Sequence, residues 1–160
     1  MMKPWPESGS QTRVAHMLDH DFYANECSVT LKAPTDMRIQ FTNTSGKTSI
    51  LKASLPLLKG EVIDATFMNV RALRAFYTQI IAEAKAKGVL LSLHLKATMM
   101  KISDPIMFGH AVSVYYAAAL DKHAATIKSI GANVNNGLAD ILSKLDRLPQ
   151  TKADEIRADI

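Results

Sequence analysis

The period at which apolar residues recur changes once along this 160-residue chain, and that change constrains the fold more than any other feature. Before the change the period is two. Met37, Ile39 and Phe41 alternate with Arg38, Gln40 and Thr42, which puts one set of side chains on one face of an extended strand. Asn43-Thr44-Ser45-Gly46-Lys47 then supplies turn chemistry ahead of Ser49-Ile50-Leu51-Lys52-Ala53, so the spacing predicts a hairpin. Ser28-Val29-Thr30-Leu31-Lys32 predicts a further strand stopped by Pro34, and Leu58-Lys59-Gly60-Glu61 predicts a turn that ends the β part.

From Asn69 onward the spacing is three and four. Val70, Leu73, Tyr77, Ile80 and Ala84 form one apolar helical stripe, with Asn69 as its N-cap and Gly88 as its C-terminal stop. Val89-Leu90-Leu91-Ser92-Leu93-His94-Leu95 is short and almost continuously apolar, which predicts a strand covered on both faces. Ser103-Asp104-Pro105 is a helix start, and Ile106, Gly109, Val112, Tyr116, Leu120, His123, Ile127 and Ile130 keep helical spacing up to Gly131. That predicts one helix of about 26 residues, with Gly109 at a close contact. Asn133 to Gly137 reads as a loop, and Leu138, Ile141, Leu142 and Leu145 as a helix closed by Pro149. Thr151 reads as the cap of a last helix, in which Ile156 and Ile160 sit four apart. The expectation is an α/β chain. Residues 1–64 form a β-rich part with a hairpin, and residues 65–160 a helix, a buried strand and successive helices.

Composition narrows the function classes. Apolar residues make up 48% of the chain, enough to build a core. The net charge of +4 comes without a basic run, which argues against a nucleic-acid partner. No window approaches the roughly 18 apolar residues of a membrane span, so no membrane partner is expected. A single cysteine, Cys27, makes no intrachain disulfide, and a cytoplasmic location is the simpler expectation.

Lys96 is the first candidate for chemistry, because it directly follows the expected buried strand at its carboxyl end, where α/β sheets place ligand-binding groups. A lysine at the rim of a partly desolvated pocket exchanges protons near neutral pH, and its charged form holds a carboxylate or alkoxide. The bland alternative is a surface lysine at a strand end. Lys101 stands close behind with the same two readings. His16, Asp19, His20 and Asp21 offer metal-ligand types, but neighbours such as His20 and Asp21 converge on one ion only in a tight loop, so a solvated turn is the better reading. His94 and His123 read as packed, hydrogen-bonded histidines, and Cys27 as a small buried group with no basic pair to make it a nucleophile. Met99, Met100 and Met107 read as core filler. No glycine-rich phosphate loop is present.

His94-Leu95-Lys96-Ala97-Thr98-Met99-Met100-Lys101, followed by Ser103-Asp104-Pro105-Ile106-Met107-Phe108-Gly109, closely resembles the monomeric NADP-dependent isocitrate dehydrogenases. The likeness extends upstream through Val14 to Met17, Asp21-Phe22-Tyr23 and Gly60 to Asp64, and downstream through Gly131 and Val134 to Gly137. It is loose from Met1 to Gln11 and from Thr42 to Thr48. Members of the family are several times longer, so the resemblance implies an internal segment of the large domain of such an enzyme. It implies a parent that converts isocitrate to 2-oxoglutarate and carbon dioxide with NADP and a Mg or Mn ion, and it implies that Lys96 is the catalytic lysine, paired with a tyrosine from elsewhere in the parent. One of that pair takes the hydroxyl proton and the other protonates the enolate. The metal ligands, isocitrate-holding groups and NADP-binding residues are expected outside this segment, so no cofactor is expected on the isolated chain, which is expected to be inactive and to self-associate through exposed apolar faces. The rivals are a standalone non-catalytic binding or structural module, and a split-enzyme subunit donating Lys96 in trans.

Overall fold

The computed structural model describes residues 9–96 and 99–160, arranged in two compact units. Leu18–Met68 makes one unit; Asn69–Ile160, with the stretch that ends at Met17, makes the other. The first is all β. Strands β1 (Cys27–Thr30) and β4 (Val62–Ala65) pair antiparallel, with Cys27 opposite Ala65 and Thr30 opposite Val62. Strands β2 (Thr35–Thr42) and β3 (Thr48–Leu57) form the expected hairpin. Its turn is set by one side chain, since Asn43 Oδ1 accepts from the amides of Ser45 and Lys47 at 3.0 and 2.9 Å. Gly46, at φ 81°, takes the left-handed position that a side chain would disfavour.

The expected turn at Leu58 to Glu61 forms, with Gly60 donating to the Leu31 carbonyl and Leu31 to the Glu61 carbonyl. It does not end the β part. The chain returns through β4 to pair with β1, a long-range pairing that local alternation does not announce. Cys27 is exposed rather than buried, on a ladder that has two strands among the described residues.

The helical unit opens with α1 (Val70–Lys87), whose bounds follow the predicted caps. Asn69 Oδ1 accepts from the amides of Arg71 and Ala72, and Gly88 adopts φ 62° with its amide on Ala84 and Lys85 carbonyls. Leu73 and Tyr77 are buried. Tyr77 Oη donates to the Met107 carbonyl at 3.4 Å, tying α1 to α2 (Ser103–Tyr115).

Several expectations fail in this unit. Val89 to Leu95 is no strand: it carries no ladder, and Leu90 is 95% exposed. A strand exists only through hydrogen bonds to a neighbour, and no described strand lies beside this segment. His94, expected to be packed, is exposed for the same reason. The single long helix is instead three, α2, α3 (Ala117–Lys122) and α4 (Ala124–Ser129). The breaks fall at Tyr116 and His123, where ψ opens to 24° and 16° against about −42° in a regular helix. Both are weak helix formers, and the buried His123 is held by a bond to another helix. From Gly109 on, the predicted stripe survives the breaks, with Gly109, Val112, His123, Ile127 and Ile130 buried and Tyr116 and Leu120 half-buried, while Ile106, expected on it, is exposed.

A 3₁₀ turn, Val134–Asn136, leads into α5 (Leu138–Leu145) and α6 (Gln150–Asp159). Pro149, not Thr151, occupies the cap position of α6. Ile130, Ile141, Leu145, Ala153 and Ile156 make the main core, and Ile160 packs against it. Gly109 does mark a close approach, since a Cβ placed there would lie 2.0 Å from Asn135 Oδ1 and 3.1 Å from Asn135 Cα.

Candidate functional site

Lys96 closes the unpaired apolar segment and opens the turn that feeds α2. Its carbonyl accepts from the amides of Met99 and Met100 at 2.9 and 3.0 Å, and the Met100 carbonyl accepts from Asp104 at 3.1 Å. These bonds tie Lys96 to the residues that lead into the first turn of α2. Ala97 and Thr98, part of the motif, lie outside the described residues. Asp104 is buried in that first turn, where a carboxylate is favoured by the positive end of the helix dipole.

The scaffold under the turn is pinned at two points. Tyr77 holds the Met107 carbonyl, and the Val134–Asn136 turn seats on Gly109, with Gly137 close to the Phe108 ring. The Lys96 side chain itself is exposed. The partly desolvated rim expected around it is therefore not built by the described residues. Lys101 is exposed as well. Met99 and Met100, expected to fill a core, are exposed on the same turn. Within α2, burial, and then the nearby Arg74 charge, hold His110 below the ordinary histidine range, and burial raises the pKa of Tyr77 on α1.

The His16 to Asp21 cluster behaves as a solvated turn. Asp19 Oδ1 accepts from the His20 amide at 2.6 Å and Asp21 Oδ1 from the Ala24 amide at 2.8 Å, so backbone amides take up these carboxylates. His20 has φ 66°.

Among the described residues, a different set brings three metal-ligand types together. His123 Nε2 lies 2.6 Å from Asp159 Oδ2, and one ligand atom each from His123, Glu155 and Asp159 falls within 4.8 Å of the others. Lys122 Nζ sits among them, 2.7 Å from Asp159 and 3.8 Å from Glu155. Asp159 is held below the usual carboxylate range by Lys122 first and by His123 second. Reading the sequence for stripes identified His123 as packed, and it is. The four-residue spacing of Glu155 and Asp159 on one helix face was the signal that could have completed the set.

A sequence model of the monomeric isocitrate dehydrogenase family matches residues 1–160 of this chain. The chain belongs to that family. It is 48% identical over 159 residues to isocitrate dehydrogenase [NADP] 2 of Colwellia maris, which covers 99% of this chain and 21% of that protein. It is 46% identical over 159 residues to isocitrate dehydrogenase [NADP] of Azotobacter vinelandii, again 99% of this chain and 21% of the relative. Isocitrate dehydrogenase [NADP] 2 of Mycobacterium tuberculosis is 48% identical over 151 residues, 94% of this chain and 20% of that protein. The chain thus spans about a fifth of the length of these relatives. The mixed α and β architecture is consistent with a segment of a domain of this kind. No described helix is long and apolar enough to cross a membrane.

A Mg or Mn ion and NADP are what the resemblance implies for the parent protein. Mg and Mn ions take carboxylate, carbonyl and water oxygens, whereas the His123 set contains an imidazole and offers only two carboxylates, both of them near the Lys122 ammonium. It does not fit them. The sequence offers no glycine-rich loop for a dinucleotide phosphate either.

Proposed function

We propose that this chain is an internal segment of the large domain of an NADP-dependent isocitrate dehydrogenase, and that its contribution to oxidative decarboxylation is the proton-transferring lysine, Lys96. The observation that carries this reading is the placement of Lys96 on a turn whose carbonyl is doubly hydrogen-bonded, directly ahead of a helix pinned to both α1 and the Val134–Asn136 turn. A side chain that must meet a reacting atom gains from a backbone held this way, because positional error translates into lost rate. Lys96 in its charged form attracts the carboxylate and hydroxyl oxygens of a hydroxy acid such as isocitrate, and in its neutral form accepts a proton from the hydroxyl. Lys96 is exposed here, so closing a water-excluded pocket around it requires further polypeptide.

This reading makes the 160-residue chain inactive by itself, since one lysine without substrate, metal and nucleotide contacts cannot stabilise the transition state. Mixing the purified chain with isocitrate, NADP and MgCl₂ should yield no NADPH absorbance; measurable turnover would refute it. Within a continuous full-length reading frame, Lys96→Met should lower kcat by about 10²–10⁴-fold while Lys101→Met leaves it nearly unchanged. Equal, small effects would remove the assignment.

The exposed apolar segment from Val89 to Leu93 supports self-association of the isolated chain, because such a surface is stabilised by covering it. Light scattering should show species larger than 17.5 kDa at high protein concentration, and a clean monomer there would refute this.

A further inference from the structure

One open groove and one charged cluster stand out once Lys96 is set aside. The groove lined by Arg74, Thr78, Ile81 and Leu90 is open and apolar, but nothing in it selects an occupant. The charged cluster selects its ligand by chemistry. We propose that His123, Glu155 and Asp159 form a binding site for a borderline divalent transition-metal ion, Zn²⁺ being the probe of choice, which enters by displacing the Lys122 ammonium.

Three features carry this. First, the donors come from two elements that the core holds together: Glu155 and Asp159 lie one turn apart on the same face of α6, and His123 sits at the break between α3 and α4. The core residues Ala153 and Ile156, on an adjacent face, anchor α6, so the site is framed by a packed helix rather than by loops. Second, the separations suit the ion. Zn²⁺ binds imidazole nitrogen and carboxylate oxygen at about 2.0–2.2 Å, which places tetrahedral donors roughly 3.3 Å apart. The ligand atoms here already fall within 4.8 Å of one another, and the closest pair, at 2.6 Å, needs to open rather than to be assembled. Third, the chemistry of the set is selective. The imidazole side chain is 1% exposed, so its ring is oriented before the ion arrives, while the two carboxylates reach solvent and give the ion a way in. One imidazole and two carboxylates favour Zn²⁺, Co²⁺ or Ni²⁺ over Mg²⁺.

Lys122 now acts as a built-in competitor. Its ammonium contacts Asp159 at 2.7 Å and lies 3.8 Å from Glu155, holding the place of the cation when none is bound. An ion with two charges and an imidazole bond replaces one charge with none, and the displaced ammonium returns to water at low cost because the lysine side chain is half exposed.

The test is a calorimetric titration of the full 160-residue chain with ZnCl₂, repeated with MgCl₂, for the wild type, Glu155→Gln and Lys122→Met. Both substitutions alter largely exposed side chains, so folding is kept. The wild type should bind one Zn²⁺ saturably and Mg²⁺ not at all. Glu155→Gln should weaken Zn²⁺ binding by about tenfold or more, and Lys122→Met should tighten it by roughly tenfold through removal of the competing charge. The ring nitrogen resonances of one histidine, His123, should shift on saturation while those of His16, His20, His94 and His110 stay. Zn²⁺ binding that neither substitution changes would place the ion on the other histidines and overturn the proposal. So would Mg²⁺ binding of equal strength, or the absence of saturable Zn²⁺ binding in Lys122→Met.

Discussion

Replacing Gly109 with Ala sets two effects of known sign against each other. In the interior of α2, alanine is favoured over glycine by about 1 kcal/mol through its lower backbone entropy. The new methyl group, however, would lie 2.0 Å from Asn135 Oδ1, 3.0 Å from Asn135 Cγ and 3.1 Å from Asn135 Cα. Swinging the amide away relieves the first contact but not the backbone one, so the Val134–Asn136 turn must shift or α2 must tilt. Overpacking of this kind costs about 1–3 kcal/mol, which exceeds the gain and leaves Gly109→Ala destabilised by about 1 kcal/mol. Asn135→Ala removes both side-chain atoms from the clash and leaves only the contact at 3.1 Å. In that background Gly109→Ala should be neutral or stabilising, giving a coupling of about 1–2 kcal/mol between the two positions. Urea unfolding of the four proteins in the cycle measures it. A Gly109→Ala midpoint that rises equally in both backgrounds would mean that only helix propensity operates and that the close approach is absent.

Two further outcomes follow from the same packing. Ile156→Ala removes three buried carbons beside the equally buried Ile141 and Leu145 and should cost about 3 to 4 kcal/mol, against about 1 for Ile156→Val; a loss below 1 for alanine, read by urea unfolding, would mean the site is not enclosed. Asp140 is held below its ordinary value near 3.8 by Lys144 first and the Asn133 amide second, so its contribution is complete above that value and is lost as pH falls through the lower folded value. Urea midpoints measured from about pH 5 down to about pH 2 should fall less steeply for Asp140→Asn than for the wild type, and parallel profiles would refute the linkage.

Wherever a rule depends on residues adjacent in sequence, the sequence was sufficient. Asn69 and Gly88 bound α1 because capping is local, and Asn43 with Gly46 makes the hairpin turn because both requirements are met within five residues. The family resemblance around Lys96 was legible for a similar reason, being carried by an unbroken run of residues. Gly109 could be read as a contact, although not as a contact with Asn135. Elsewhere the deciding partner is distant. Strand β4 exists because β1 offers its edge more than thirty residues earlier. Val89 to Leu95 has the composition of a buried strand and is none, because strand formation needs a neighbour's hydrogen bonds and no described strand supplies them. The stripe from Gly109 to Ile130 was correct while the helix carrying it was not, since periodicity reports which face is apolar and not whether the axis stays straight. The His123, Glu155 and Asp159 set joins residues more than thirty positions apart, so its geometry is decided by how α6 packs on the α3 to α4 break. Local hydrogen bonding and capping are written in consecutive residues; burial and convergent charge arise only when distant surfaces exclude water from one another.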